Sequence, residues 1–213
     1  MTKAELIIWD WNGTLLNDVE ACVKTINILL ERRNMMCINA NRYRKIFTFP
    51  VQDYYKSLGF DFEKEPFEEL SLEYISLYNE ISKESALHNR SIEVLKKLRN
   101  QNIKQIILSA SEQKSLEQQV KEREIDSYFD SLIGLDNIYA KSKLQNGIDY
   151  VNQSKLNPKN IYFVGDTFHD YEVSKEIGCK CILINKGHQD LELHKNLTIV
   201  DDLSQLLSNI IMQ

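Results

Sequence analysis

Two short, uninterrupted apolar runs, each closed by an aspartate turn, constrain this chain more than any other feature. Leu6-Ile7-Ile8-Trp9 leads into Asp10-Trp11-Asn12-Gly13-Thr14. Ile161-Tyr162-Phe163-Val164 leads into Gly165-Asp166-Thr167-Phe168-His169-Asp170. A run that is apolar at every position has both faces covered, as in a parallel sheet with helices on each side. In open sheets of that kind, ligands collect at the carboxyl ends of the strands. The two turns therefore predict carboxylates gathered at one sheet edge. Crowded carboxylates repel unless a cation joins them, and an oxygen-rich set suits magnesium together with a substrate phosphate.

The next run of strand character is Ile103-Lys104-Gln105-Ile106-Ile107-Leu108, much further along than one crossover helix requires. The intervening stretch reads as helical. Val19, Cys22, Val23, Ile26, Leu29 and Leu30 recur at helical spacing behind Asn17 or Asp18 as an N-cap. A shorter helix begins near Val51, and Phe67, Leu70, Tyr74, Leu77, Tyr78 and Ile81 share a face after Pro66. From Ser91, helices and strands alternate. A helix carries Val94, Leu95 and Leu98, and Ser111 is positioned to cap the helix with Leu116 and Val120. Short strands are expected at Leu132-Ile133, Ile161–Val164, Cys181–Ile184 and Thr198–Val200. The helix of Tyr171, Val173 and Ile177 ends at Gly178, a C-cap, and Leu203, Leu206, Leu207 and Ile210 mark a last helix. The alternation predicts an α/β fold, a doubly wound parallel sheet. Residues 1–14 and 89–213 would form that core, and 15–88 an inserted all-helical domain.

Hydrophobic residues at 43% and charged residues at 27% suit a globular chain with a sizeable core. The net charge of −5 gives no footing for a nucleic-acid partner or an anionic membrane surface. No stretch reaches the ~20 apolar residues of a membrane span, and the N-terminal run is too short for a secretory signal. The spacings of Cys22, Cys37, Cys179 and Cys181 fit no zinc site, so structural roles and a reducing, cytoplasmic setting are expected. The oligomeric state is not encoded in any pattern.

Taken in order, Asp10, Ser109, a lysine near 143 and the Asp166/Asp170 pair resemble the four motifs of the haloacid dehalogenase superfamily. The large helical insert after the first motif is similar to the family's type 1 cap, and the subgroup most resembled is that of phosphoglycolate phosphatase-type phosphatases. The resemblance implies a Rossmann-like core and a Mg²⁺-dependent hydrolase of a small phosphorylated metabolite. It implies Asp10 as the nucleophile that forms an aspartyl-phosphate and as a metal ligand. Asp166 and the Asn12 backbone carbonyl would also ligate the ion, with Asp170 behind them. Ser109 and backbone N–H groups at Ala110 would bind the phosphoryl group. Lys143, favoured over Lys141, would neutralise charge between Asp10 and the phosphate.

Asn12 departs from the family pattern, in which a second aspartate protonates the leaving alcohol and activates water. An amide cannot exchange protons in that way. Either another group substitutes, or the leaving group needs no acid, or the enzyme is weak. His169, inside the acidic turn, is the candidate surrogate, and His188 would face the same edge. The family's phosphonate-cleaving members also lack that aspartate and carry a Trp much like Trp11. They need a cap lysine, and Lys24, Lys45 and Lys56 match no motif. A catalytically impaired member that binds a phosphorylated ligand or a protein is the reading from another class. The cluster Arg42, Tyr43, Arg44, Lys45, Phe49, Pro50, Tyr54 and Tyr55 reads as part of a cap helix, with Arg44 positioned to meet an anionic substrate. Trp9 and Trp11 are expected in the core and the pocket wall.

Overall fold

The chain is described by a computed structural model covering residues 4–136, 143–192 and 196–211. Six parallel strands form one sheet in the order β3-β2-β1-β4-β5-β6. They are β1 (Leu6–Trp9), β2 (Lys104–Glu112), β3 (Ser131–Leu135), β4 (Ile161–Gly165), β5 (Lys180–Ile184) and β6 (Ile199–Val200). The chain starts in the middle, winds outward through β2 and β3, then returns to the other side of β1 for β4, β5 and β6. That reversal places a switch point between β1 and β4, where an open sheet forms its ligand crevice. Trp9 pairs with Val164, so the residues that follow the two strands emerge side by side.

Alternate strand residues feed two different cores. Ile7, Trp9, Ile107, Tyr162 and Val164 pack with Val94, Leu95, Leu116 and Leu206. Leu6, Ile8, Ile106, Leu108 and Phe163 pack with Val151, Val173 and Ile177. The first set of helices comprises α5 (Ser91–Asn100), α6 (Gln113–Glu122) and α9 (Gln205–Ile211), and the second α7 (Leu144–Ser154) and α8 (Phe168–Ile177). Both sheet faces are thus covered, which is why the strands lack the polar alternation of a half-exposed sheet. Trp9 and Trp11 are fully buried, with their indole N–H groups donating to Gln105 and Gln119 at 3.2 and 2.7 Å. Trp11 is therefore a core residue.

Between β1 and α5 lie α1 (Val19–Arg32), α2 (Ala40–Ile46), α3 (Val51–Leu58) and α4 (Phe67–Ile81). These helices carry a third hydrophobic cluster drawn from residues 19–81 alone, including Ile26, Leu29, Leu30, Tyr43, Tyr55 and Leu70. Where the chain leaves and re-enters the sheet layer, Leu16 bridges Leu87 and the His88 N–H donates to the Leu15 carbonyl at 2.8 Å.

Four local expectations are corrected. The aromatic and basic cluster near Tyr43 to Tyr55 spans two helices, α2 and α3, because the chain leaves helical geometry at Phe47 and is extended again at Pro50. Pro66 is the N-cap residue of α4 and lies just outside its first turn. Strand β2 runs past Leu108 to Glu112, since a register shift lets Glu112 pair with Leu135. Glu112, and not Ser111, caps α6, its carboxylate accepting from the Ser115 N–H at 2.8 Å.

Candidate active site

The acidic cluster is built by backbone geometry. The Asp10 N–H donates to the Val164 carbonyl at 2.8 Å, which extends the β1–β4 pairing by one residue. Asp166 follows directly on β4. Thr167 and Asp170 form a capping box at the start of α8, so one Asp170 oxygen accepts from the Thr167 N–H (2.9 Å) and hydroxyl (2.7 Å). The Asp166 carboxylate is held at both oxygens, by the Thr14 hydroxyl at 2.9 Å and the His188 N–H at 2.6 Å. Close approach requires glycine here. At Gly13 (φ +73°) and at Gly187, a Cβ would collide with the Asp166 carboxylate.

Carboxylate oxygens of Asp10, Asp166 and Asp170 lie within 4.8 Å of one another, and all three residues are buried. The buried Lys143 ammonium forms ion pairs with Asp10 and, at 2.8 Å, with Asp170. Lys141 lies outside the described residues. Burial pushes the Asp10 carboxyl above its usual range, which Lys143 only partly offsets, and burial pushes Asp166 up further. Burial raises Asp170 too, but the Lys143 ammonium more than reverses this and holds it below the usual value. Burial depresses Lys143, and the Asp10 and Asp170 charges outweigh that, so it stays protonated. An all-oxygen set with two carboxylates whose charged forms burial disfavours matches what a small hard divalent cation requires. The donor chemistry therefore fits Mg²⁺.

Ser109, near the end of β2, is buried, and its hydroxyl oxygen accepts from the Ser111 N–H at 3.1 Å. Asn12 is fully engaged. Its amide N–H₂ donates to Asp18 (2.8 Å) and to the Tyr78 hydroxyl (2.7 Å), and its carbonyl accepts from the Ser111 hydroxyl at 2.7 Å. Asp18 sits at the expected cap position of α1, yet its side chain caps nothing. It accepts instead from Asn12, the Gly13 N–H (2.8 Å), the Tyr78 hydroxyl (2.5 Å) and His188 Nε2 (3.1 Å). Burial would raise its pKa, but the His188 charge and these donors bring it down to about 2. For His188, burial works downward and Asp18 lifts the pKa to about 9, so it is the imidazolium. His188 Nδ1 meets the Tyr43 hydroxyl at 2.9 Å.

This network gives Asn12→Asp a definite consequence. A carboxylate in place of the amide would face Asp18 at hydrogen-bond distance and lose two donated bonds. Asn12→Asp is expected to cost about 2–3 kcal/mol. A fall in Tm against wild type measures it, and an unchanged Tm would mean that the amide contacts carry no weight.

A cavity of about 180 Å³ runs from Asp10, Ser109, Ala110 and Lys143 into the aromatic side chains of α2 to α4. His169 is in its wall, stacked on Phe49 at 4.6 Å between centroids, with Nδ1 3.6 Å from Glu172 and a buried Nε2 that has no partner among the described residues. Burial and the nearby Lys143 charge lower its pKa, so it is neutral. Arg44 is not brought into the cavity. Its guanidinium donates to the Gly187 carbonyl at 3.0 Å and so ties α2 to the loop after β5. Sequence reasoning missed Thr14, Asp18, Tyr43 and Tyr78. Asp18 carried a signal, but for a helix cap, and the two tyrosines were indistinguishable from packing residues.

Residues 7–184 match the family model of the haloacid dehalogenase-like hydrolases. No curated protein matches the chain. Among solved structures, a haloacid dehalogenase-like family protein from Streptococcus pneumoniae superposes with a TM-score of 0.85 at 20% identity, covering 98% of this chain and 99% of its own. A predicted phosphoglycolate phosphatase from Haemophilus somnus gives 0.76 at 23%, with both chains covered completely. The protein tyrosine kinase A of Mycobacterium tuberculosis gives 0.80 at 16%, covering 99% and 100%. Such diversity of names on one backbone shows that likeness at this level speaks for the fold alone. No helix among the described residues is long and apolar enough to cross a membrane. With the family model spanning the sheet from β1 to β5 and the acidic edge between them, this chain belongs to the haloacid dehalogenase-like hydrolases.

Proposed function

We propose that the chain is a Mg²⁺-dependent phosphatase that hydrolyses a small phosphorylated metabolite through an aspartyl-phosphate on Asp10. One observation carries this reading: the Asp10 and Asp166 carboxylates stand together at the ends of adjacent strands, with Lys143 paired to Asp10. Asp10, Asp166 and the Asn12 backbone carbonyl would hold the ion, with Asp170 behind them, and the ion would neutralise charge between phosphate and carboxylates. Asp10 supplies the attacking oxygen. Ser109, the Ala110 N–H and Lys143 orient the phosphoryl oxygens and stabilise the charge that develops on them. His169 Nε2, neutral and unpaired, accepts a proton from the water that later hydrolyses the aspartyl-phosphate. Residues 15–88 would serve as the cap that closes over the reaction and excludes water.

Among the described residues, no lysine of α1 to α4 lines the cavity, so C–P cleavage through a cap lysine lacks its amine. Purified protein incubated with Mg²⁺ and a panel of phosphomonoesters tests the proposal. Release of phosphate that stops on chelation supports it, and binding of phosphate without release from any ester would favour the impaired, ligand-binding reading. The metal part has its own test. Mg²⁺ is expected to raise the Tm of wild type, because a ligand that binds only the native state stabilises it. Gly187→Ala, which displaces Asp166, is expected to weaken Mg²⁺ binding by about 10–100-fold in a calorimetric titration. Unchanged affinity would remove Asp166 from the metal site.

A further inference from the structure

The cavity beyond the acidic cluster is largely aromatic, and the charged groups that reach it are already engaged: Asp18 pairs with His188, and Glu112 caps α6. Tyr43, Phe47, Phe49, Tyr54, Tyr74 and Tyr78 all contribute to its wall. Several are locked against one another or against the site histidines: Phe47 meets Tyr54 at 5.4 Å, Tyr74 stacks on Tyr78 at 5.9 Å, and Phe47 lies 5.4 Å from His188. Among the described residues, the basic groups beside this wall's rings are Lys143, which Asp10 and Asp170 already pair with, and His188, which Asp18 holds, apart from His169 stacked on Phe49. A second anionic group on a substrate would therefore meet rings and carboxylates with no free cation, an expensive burial. The whole cavity, acidic end included, holds about 180 Å³, against ~150 Å³ for an apolar cavity that accepts benzene, so beside a phosphoryl group it leaves room for one small group at most. It suits one ring, which the surrounding aromatic faces and edges would stack against.

Two polar atoms in this wall lack partners. The Tyr54 hydroxyl is buried with no hydrogen bond, as is His169 Nε2, and only one other buried side-chain atom among the described residues shares that condition. A buried, unpaired hydroxyl is costly to leave unmet, and a small shift of the Tyr54 ring would bring it to a polar substituent on a bound ring. The saturated Asn12 amide adds an independent constraint. With both its donor and acceptor groups committed, no acid stands at that position to protonate a departing alkoxide.

We propose that the cavity selects a small aryl phosphate: the monophosphate of a phenol-type hydroxyl, with a polar ring substituent and no second anionic group. The inference rests on the hydrolase reading above and names its substrate class. In the first step the bond between an Asp10 carboxylate oxygen and phosphorus forms as the aryl O–P bond breaks. The electron pair leaves on the phenolate, which is stable enough to depart without a proton from the protein and is protonated by solvent later.

The test separates recognition from chemistry. Binding is measured by calorimetry on Asp10→Asn with Mg²⁺, using phenyl, benzyl and propyl phosphates and 2-phosphoglycolate. Both aromatic esters are expected to bind at least about tenfold more tightly than the other two, from the apolar area of the ring. Equal or tighter binding of propyl phosphate or 2-phosphoglycolate would overturn the aromatic assignment, whatever the enzyme hydrolyses. Turnover is measured on wild type. Phenyl phosphate is expected to exceed benzyl phosphate by about 10²-fold or more in kcat/KM, because the benzyl leaving group needs the missing acid. Equal values would overturn the phenol-type assignment. Preferential binding of aromatic esters with no turnover of any ester would sink the hydrolase reading and leave the ligand class standing. Among the hydroxyphenyl phosphates, at least one isomer is expected to bind Asp10→Asn about fivefold more tightly than phenyl phosphate. Adding Tyr54→Phe should erase that gain and leave phenyl phosphate within about twofold; a gain that survives would remove Tyr54 from recognition. A phosphotyrosine peptide bound more tightly than phenyl phosphate would overturn the small-molecule source.

Discussion

Asp10→Asn is expected to reduce phosphomonoester turnover by about 10⁴–10⁶-fold, the scale seen when a covalent nucleophile is removed. The amide is nearly isosteric and keeps one oxygen, so a substrate and a divalent ion would still find their places while the attacking group is gone. The fold should not suffer. Asp10 is a buried carboxylate whose ionised form is disfavoured by burial, and Lys143 keeps its 2.8 Å pair with Asp170. In metal-free protein the neutral side chain therefore removes a buried charge, and Tm is expected to hold or rise. Kinetics on saturating aryl phosphate, together with a melting curve, check both halves. Residual activity above about 1% would mean that another group forms the intermediate. A large fall in Tm would mean that the loss of activity reports unfolding.

The second large effect is on stability. Asp18→Ala is expected to cost about 3–5 kcal/mol, the range for breaking a buried ion pair by deleting one partner. The Asn12 amide, the Gly13 N–H, the Tyr78 hydroxyl and the His188 imidazolium all lose their shared acceptor inside the protein. For a chain of this size, the loss corresponds to a fall in Tm of about 6–20 °C. Asp18→Asn retains an acceptor and most of the shape, and should cost roughly half as much. Denaturant unfolding of the three proteins measures the difference. If Asp18→Ala unfolds within about 1 kcal/mol of wild type, the network is surface-like in its energetics and His188 is not held by it.

These predictions separate what was legible in the sequence from what was not. The strands that matter most were readable because both faces of β1 and β4 are buried, which leaves an unbroken apolar signature. The glycine that ends α8 was readable too, since Gly178 adopts the left-handed conformation (φ +83°) that its residue type favours. Asp18 stands at the N-cap position read for it, but its side-chain role was hidden, because a cap and a buried ion-pair partner use the same residue type at the same position. Arg44 was placed near substrate on charge alone, whereas its guanidinium has a backbone carbonyl to bind.

By itself the sequence determined the α/β class, the succession of strands along the chain and the two acidic turns, because local pattern and chain order are one-dimensional properties. Only the tertiary structure decided which groups the acids meet. It brought Lys143 between Asp10 and Asp170, set His188 and Tyr78 on Asp18, and closed an aromatic wall above them. Those partners lie tens to more than a hundred residues apart in the chain. No periodicity or spacing encodes such pairings, because they follow from how strands and helices pack in three dimensions.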